Sequence, residues 1–207
     1  MMNKKLIVQI LFFGALWGIV EATLGYVLHL IPATIAGSIL FPIAGLILYR
    51  AYNVTGSKGA LLWIGVVAAT IKSVNFFLPQ YSIFKTINPM ISIVMEALMV
   101  VVVVSLLTSD KQVPKLLAFP IASIAWRGLF VMWMGFQYAT TGNLAPYLAT
   151  PALIADFIII TGLLSGAIGT LFVVINDHVK VSLPQVSHRL SLASFLFLVA
   201  LVLTYTL

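Results

Sequence analysis

The sequence predicts an all-α integral membrane protein, a polytopic bundle of about seven transmembrane helices with its N-terminus inside. Three observations carry that prediction. Of 207 residues, 62% are hydrophobic and only 8% are charged, whereas soluble domains are roughly half apolar and a quarter charged. Uninterrupted apolar stretches occupy 6–30, 35–49, 59–78, 87–107, 116–138, 151–175 and 190–207, and about 20 helical residues cross a hydrocarbon core about 30 Å thick. The bases also alternate. With the N-terminus inside, inner segments hold Lys4, Lys5, Arg50, Lys58, Lys111, Lys115, Lys180 and Arg189, and outer segments hold only Lys85. Cytoplasmic loops carry such an excess because basic residues resist translocation. The net charge of +6 is therefore read as topology and not as a nucleic-acid footprint.

Each span has its own boundaries. The first follows Lys4-Lys5, is longer than a signal-peptide core and carries Glu21, so it is read as a retained helix. Pro32 and Gly37 separate it from the second stretch, the shortest, which contains Pro42. That stretch admits three forms: a span tilted less, one extended into Ala33–Ala36, or a partly re-entrant segment. The run Asn53–Gly59 precedes the third span, and Pro79 and Pro89 bracket an outer loop with Tyr81 and Lys85 before the fourth. Pro114 precedes the fifth. An uncharged outer loop, Ala139–Thr150, contains Gly142, Asn143 and Pro146 and leads to the sixth. Pro151 opens that helix, where the first-turn amides lack helical partners in any case. Residues 176–189 form a polar cytoplasmic loop with His178 and His188, and 190–207 a last helix. All 207 residues are read as one transmembrane domain.

That organisation leaves no room for a sizeable extramembrane domain, so a soluble enzyme and a nucleic-acid-binding domain are excluded. The chain has no cysteine, which excludes disulfides, thiolate metal sites and cysteine nucleophiles. No HExxH, GxSxG, Walker A or paired-Asp lipid-transferase motif occurs, and nothing in the sequence implies a cofactor or a metal.

The informative residues are those that do not belong in lipid. A charge at the bilayer centre costs roughly 2.5–3.5 kcal/mol on insertion scales. Glu21, Lys72, Glu96, Arg127 and Asp156 lie in five different apolar stretches. At 1.5 Å per residue, Asp156 lies about 8 Å below the outer end of its helix, Lys72 about 9 Å, Glu21 and Glu96 about 13 Å and Arg127 about 16 Å. Charges at such similar depth are expected to converge on a polar pocket opening outward. Helical spacing supports convergence: Gly65, Ala68, Ala69 and Lys72 share a stripe, as do Ser92 with Glu96, and Ser123 with Arg127, Met134 and Tyr138. Small residues let helices approach in lipid and polar residues follow that packed face. Trp126, Trp133 and Tyr138 flank Arg127, where a cation or heterocycle can stack. Three acids against two bases leave a surplus carboxylate, which favours a cationic or hydrogen-bond-donating ligand. The alternative is purely structural, with Lys72 paired to Glu96 and Arg127 to Asp156 to lock the bundle.

The first helix, LFFGALWGIVEATLGYVLH, places Gly14, Gly18 and Ala22 four residues apart. With this size, topology and small-xxx-small start, the chain resembles the substrate-binding S component of energy-coupling factor transporters over roughly residues 6–175. The resemblance implies a six-helix core in a bacterial or archaeal cytoplasmic membrane; the stretch 190–207 is an extra C-terminal helix beyond the family's usual six. The resemblance also implies a vitamin-like substrate bound near the outer face, under a lid formed by loops. The Gly14, Gly18 and Ala22 stripe would contact a transmembrane coupling protein served by separate ATPase subunits. Substrate contacts are expected from Glu21, Lys72, Asn75, Glu96, Arg127 and Asp156, with Trp133 and Tyr138 as an apolar wall and the Tyr81 and Asn143 loops as lid. A small heterocyclic cation or zwitterion fits that lining. Two other functions remain open. A self-contained secondary transporter would use a buried acid as its proton site, and an intramembrane lipid-modifying enzyme would use Glu96 and Asp156 as general acid and base.

Overall fold

The computed structural model describes residues 3–28, 33–79, 82–179 and 189–207. They are helical almost throughout, and no strand occurs among them. The helices are α1 (Lys4–Leu28), α2 (Ala33–Thr55), α3 (Lys58–Lys72, continued by a 3₁₀ turn over Ser73–Phe77), α4 (Ile83–Leu107), α5 (Gln112–Thr141), α6 (Pro151–Val179) and α7 (Leu190–Thr206). Six are long and apolar enough to cross a membrane, and α7 is a shorter apolar helix of 17 residues.

Local chemistry sets the ends. Ser82 caps α4, its Oγ accepting from the Lys85 amide, so this helix begins before the apolar run and takes Lys85, Thr86 and Asn88 into its first turns. Gly142, at φ 73°, stops α5 with its amide donating to the Tyr138 carbonyl at 2.8 Å, a left-handed cap that glycine adopts without Cβ strain. The short second stretch is a full helix of 23 residues. It runs past the apolar segment at both ends and carries Pro42 within it. In α6 the backbone widens into a π-helical turn over Asp156–Ile160 between α-helical Pro151–Ala155 and Thr161–Val179.

The first six helices close on one another in the order α1, α3, α4, α5, α6, α2, with α2 also reaching α4, and α7 packs outside against α1 and the edge of α3. Small residues make these contacts possible. A Cβ on Gly14 would lie 2.6 Å from Val67, and one on Gly18 2.5 Å from Ile71, so α1 meets α3 nearly backbone to side chain. Phe119 of α5, fully buried, is gripped between Gly45 of α2 and Gly169 of α6. Lipid tails are as apolar as leucine, so close van der Waals contact of this kind holds the helices together.

At the opposite end from the close of α1, Asp177 of α6 ties three helices. Tyr49 of α2 donates to its Oδ1 at 3.0 Å, and Lys115 of α5 pairs with its Oδ2. Both ionised side chains are about 30% exposed, so water screens the pair and its contribution is small. Asp177→Asn is expected to destabilise the protein by only about 1 kcal/mol, read as a modest drop in the thermal unfolding midpoint in detergent. A loss comparable to that of a core deletion would show that the clamp carries the fold.

Candidate functional site

A pocket of about 540 Å³ opens where α1, α3 and α7 end and α4 begins. Its polar wall consists of Lys72, Asn75 of the following 3₁₀ turn, Lys85, Asn88 and Thr204, and Tyr26 and Phe84 supply aromatic surface. The sequence places these groups for local reasons. The stripe Gly65, Ala68, Ala69 and Lys72 is buried, with Gly65 against Ala97 of α4, so Lys72 is drawn inward at the top of the packed seam. The 3₁₀ turn then tightens the backbone and leaves Asn75 buried beside it. Lys85 stays exposed at the mouth.

From the pocket, charged groups lead into the core. Glu21 of α1, buried, accepts at Oε1 from the Trp17 indole at 3.2 Å, and its Oε2 lies beside Gly25. Its charge is coupled to that of Lys72. Glu96 of α4 is coupled in turn to Glu21 on one side and to Arg127 on the other. The order is therefore Lys72, Glu21, Glu96, Arg127, two bases enclosing two acids. Among the described residues none of these four makes an ion pair within 4 Å; their attraction acts over a longer reach. The expected pairs, Lys72 with Glu96 and Arg127 with Asp156, are not formed as ion pairs among the described residues. Arg127 is fully buried, and its Nη1 donates to the Ser123 hydroxyl at 2.6 Å. Its guanidinium lies 4.5 Å from the Trp126 ring centroid and 5.7 Å from that of Phe157, a desolvated cation held by aromatic faces.

The antiparallel pair α4 and α5 forms a polar seam. Trp133 donates its indole N–H to Asn88 Oδ1 at 3.0 Å, which pins the register of the two helices. Two turns further along α4 comes Glu96, and nearly two turns back along α5 comes Arg127. Buried polar atoms without a hydrogen-bond partner concentrate on these two helices: Thr86 Oγ1, Glu96 Oε2, Trp126 Nε1, Arg127 Nε and Nη2, and Gln137 Oε1. An unsatisfied buried polar group is costly, so these atoms call for hydrogen-bond partners beyond the side chains that surround them.

The remaining expected site residues fall elsewhere. Asp156 is exposed on the π-helical turn of α6, which instead buries its neighbour Phe157. The buried set is therefore two acids and two bases, without the surplus of one acid behind the cationic-ligand expectation. Tyr138 is about half exposed, and Trp133 is half-buried with its N–H committed to Asn88. Gly14 and Gly18 are filled by α3 of the same chain, and Ala22 lines the pocket, so this stripe makes internal contacts. Asn143 is exposed, whereas His29, Pro32, Tyr81, Lys180 and His188 lie outside the described residues. The loop after α5 does reach the core through Tyr147, whose ring stacks on Phe157 at 4.8 Å. Burial pushes its hydroxyl pKa up to about 12.

Attention to charge alone passed over Thr86, Asn88 and Gln137. An available signal was Ser82, a helix-capping residue directly before Ile83-Phe84. It moves the start of α4 back and makes Thr86 and Asn88 helical. Known protein families, curated proteins and solved structures contain no match to this chain.

Proposed function

We propose that this chain is the small-molecule-binding membrane subunit of an uptake transporter, of the kind that S components of energy-coupling factor transporters represent. The observation that carries the reading is a pocket of about 540 Å³ that ends on buried Lys72 and Asn75 and is backed by the buried charges of Glu21, Glu96 and Arg127. Ligand sites commonly occupy about 300–1,000 Å³ and place a few convergent polar groups in apolar walls. Under the positive-inside reading, the N-terminus is cytoplasmic and the pocket faces outward, as uptake across a bacterial or archaeal membrane requires. A vitamin-sized molecule fits that volume. A coupling membrane protein and its ATPases would drive release, and they would dock on a face other than the Gly14 and Gly18 stripe.

The test is native mass spectrometry of the full chain purified from membranes in mild detergent. Wild type is expected to release a small molecule that Lys72→Gln and Glu96→Gln no longer retain. A clean apo mass for wild type, with both variants equally stable, would overturn the binding reading.

One observation favours a second reading, a self-contained proton-coupled transporter: the two buried carboxylates, Glu21 and Glu96, act on each other within the bundle. Substrate flux in proteoliposomes without ATP or a partner protein would support it over a subunit that needs a motor.

A further inference from the structure

Resting on the reading of this pocket as a ligand site, we infer that it takes the oxyanion end of its ligand, a carboxylate or a phosphate monoester, between Lys72 and Lys85. The wall offers donors. Lys72 is buried, and among the described residues its ammonium forms no hydrogen bond and no ion pair within 4 Å. A lysine brings three N–H donors and no acceptor. The Trp133 indole can only donate, and its bond to Asn88 Oδ1 at 3.0 Å fixes which end of that amide faces α5. Asn88 then turns its amide N–H₂ donors away from Trp133, with one lone pair of its carbonyl oxygen also left over. Lys85 adds a second positive charge at the rim, and Asn75 adds a buried amide.

Carboxylate side chains are missing from the same wall, which Leu207 also lines. No Asp or Glu lines the pocket among the described residues, and the segments 29–32 and 80–81 contain none in sequence. Glu21 is the nearest acid in the chain of charges, and one of its oxygens already accepts from Trp17. A cation entering here would meet two like charges with one partly used carboxylate behind them. An oxyanion would pair with Lys72 through charge-assisted hydrogen bonds, which are roughly twice as strong as neutral ones. This differs from the cationic ligand expected from three acids against two bases, because with Asp156 exposed on α6 the buried set holds two of each.

A soluble metabolite or an anionic lipid headgroup could supply this chemistry, and the experiment separates them. Thermal unfolding of the full chain in maltoside is followed with phenyl phosphate, benzoate and benzyltrimethylammonium. Lipid retention is followed by native mass spectrometry with phosphatidylglycerol against phosphatidylcholine. The two anions are expected to raise the midpoint and the cation to leave it unchanged. Lys72→Gln should weaken the anions by about tenfold or more, Lys72→Arg by much less, and Lys85→Gln by about threefold. Lys85 is exposed, so its variant remains informative if Lys72→Gln folds poorly. Selective retention of phosphatidylglycerol, lost in Lys72→Gln and without any effect of the soluble anions, would support the oxyanion site and overturn the uptake reading. Stabilisation by the cation equal to or above that by the anions would overturn the oxyanion inference and leave the uptake reading standing. So would no response to any soluble probe together with no preference for phosphatidylglycerol, if wild type still releases a small molecule from membranes.

Discussion

Arg127→Met is expected to destabilise the protein by about 1–3 kcal/mol, the cost of leaving buried polar groups without a charged partner. Arg127 is fully buried, and its nearest opposite charge, Glu96, is itself 5% exposed. Removing the guanidinium leaves Glu96 in a low-dielectric interior facing only Glu21, a like charge. Methionine retains much of the side-chain volume, so the loss reports electrostatics more than a cavity. The double variant Glu96→Gln/Arg127→Met removes the stranded charge, and a coupling of about 1–3 kcal/mol between the two changes is expected. Equilibrium unfolding in mixed micelles would measure all three variants. Additive losses would mean that Glu96 and Arg127 do not sense each other.

Gly166→Val is expected to cost about 3 kcal/mol or more, at the upper end of overpacking penalties. A Cβ at this position would overlap the backbone of Pro120 in α5, reaching its Cα and lying 2.7 Å from its nitrogen. Proline has little freedom to yield, because its ring locks the backbone. Flexible side chains elsewhere can turn aside; here the two helices must part, which also loosens the grip of Gly45 and Gly169 on Phe119. Gly128→Ala and Gly135→Ala, in the same helix as Pro120 but with open space at Cβ, serve as controls. They should be neutral or stabilising by up to about 1 kcal/mol, the difference in helix propensity. Thermal unfolding in one detergent would rank all three. Equal behaviour of Gly166→Val and the controls would mean that α5 and α6 are not in backbone contact.

The membrane architecture was legible because it depends on summed local quantities. Apolar length, proline position and the cost of a charge in lipid are each read along one stretch of chain, and they placed the described helix ends within four residues, the end of the second apart; that end and the start of the fourth are the instructive misses. Those two differ because Thr55 and Ser82 are polar helix-end residues that hydropathy ignores: the first bonds back to the Ala51 carbonyl and the second caps α4. The burial of Glu21, Lys72, Glu96 and Arg127 was legible for the same reason, since an ion in an apolar helix turns to the protein interior.

Asp156 shows where that logic stops. Its depth was as suggestive as that of Lys72, but the π-helical turn buries Phe157 in its place. The partner of each charge was also beyond reach, because a helix face states a direction and not which helix stands opposite. That choice came from non-local shape: Gly14 and Gly18 accept Val67 and Ile71, Gly166 accepts Pro120, and Asn88 meets Trp133. Composition and periodicity along the chain therefore determine that the protein lies in a membrane as helices with buried ions. Which ions meet, and that the pocket wall carries Lys72 and Lys85 without an Asp or Glu side chain, follows from how the described helices fit together, because steric fit between distant residues sets their rotation and neighbours.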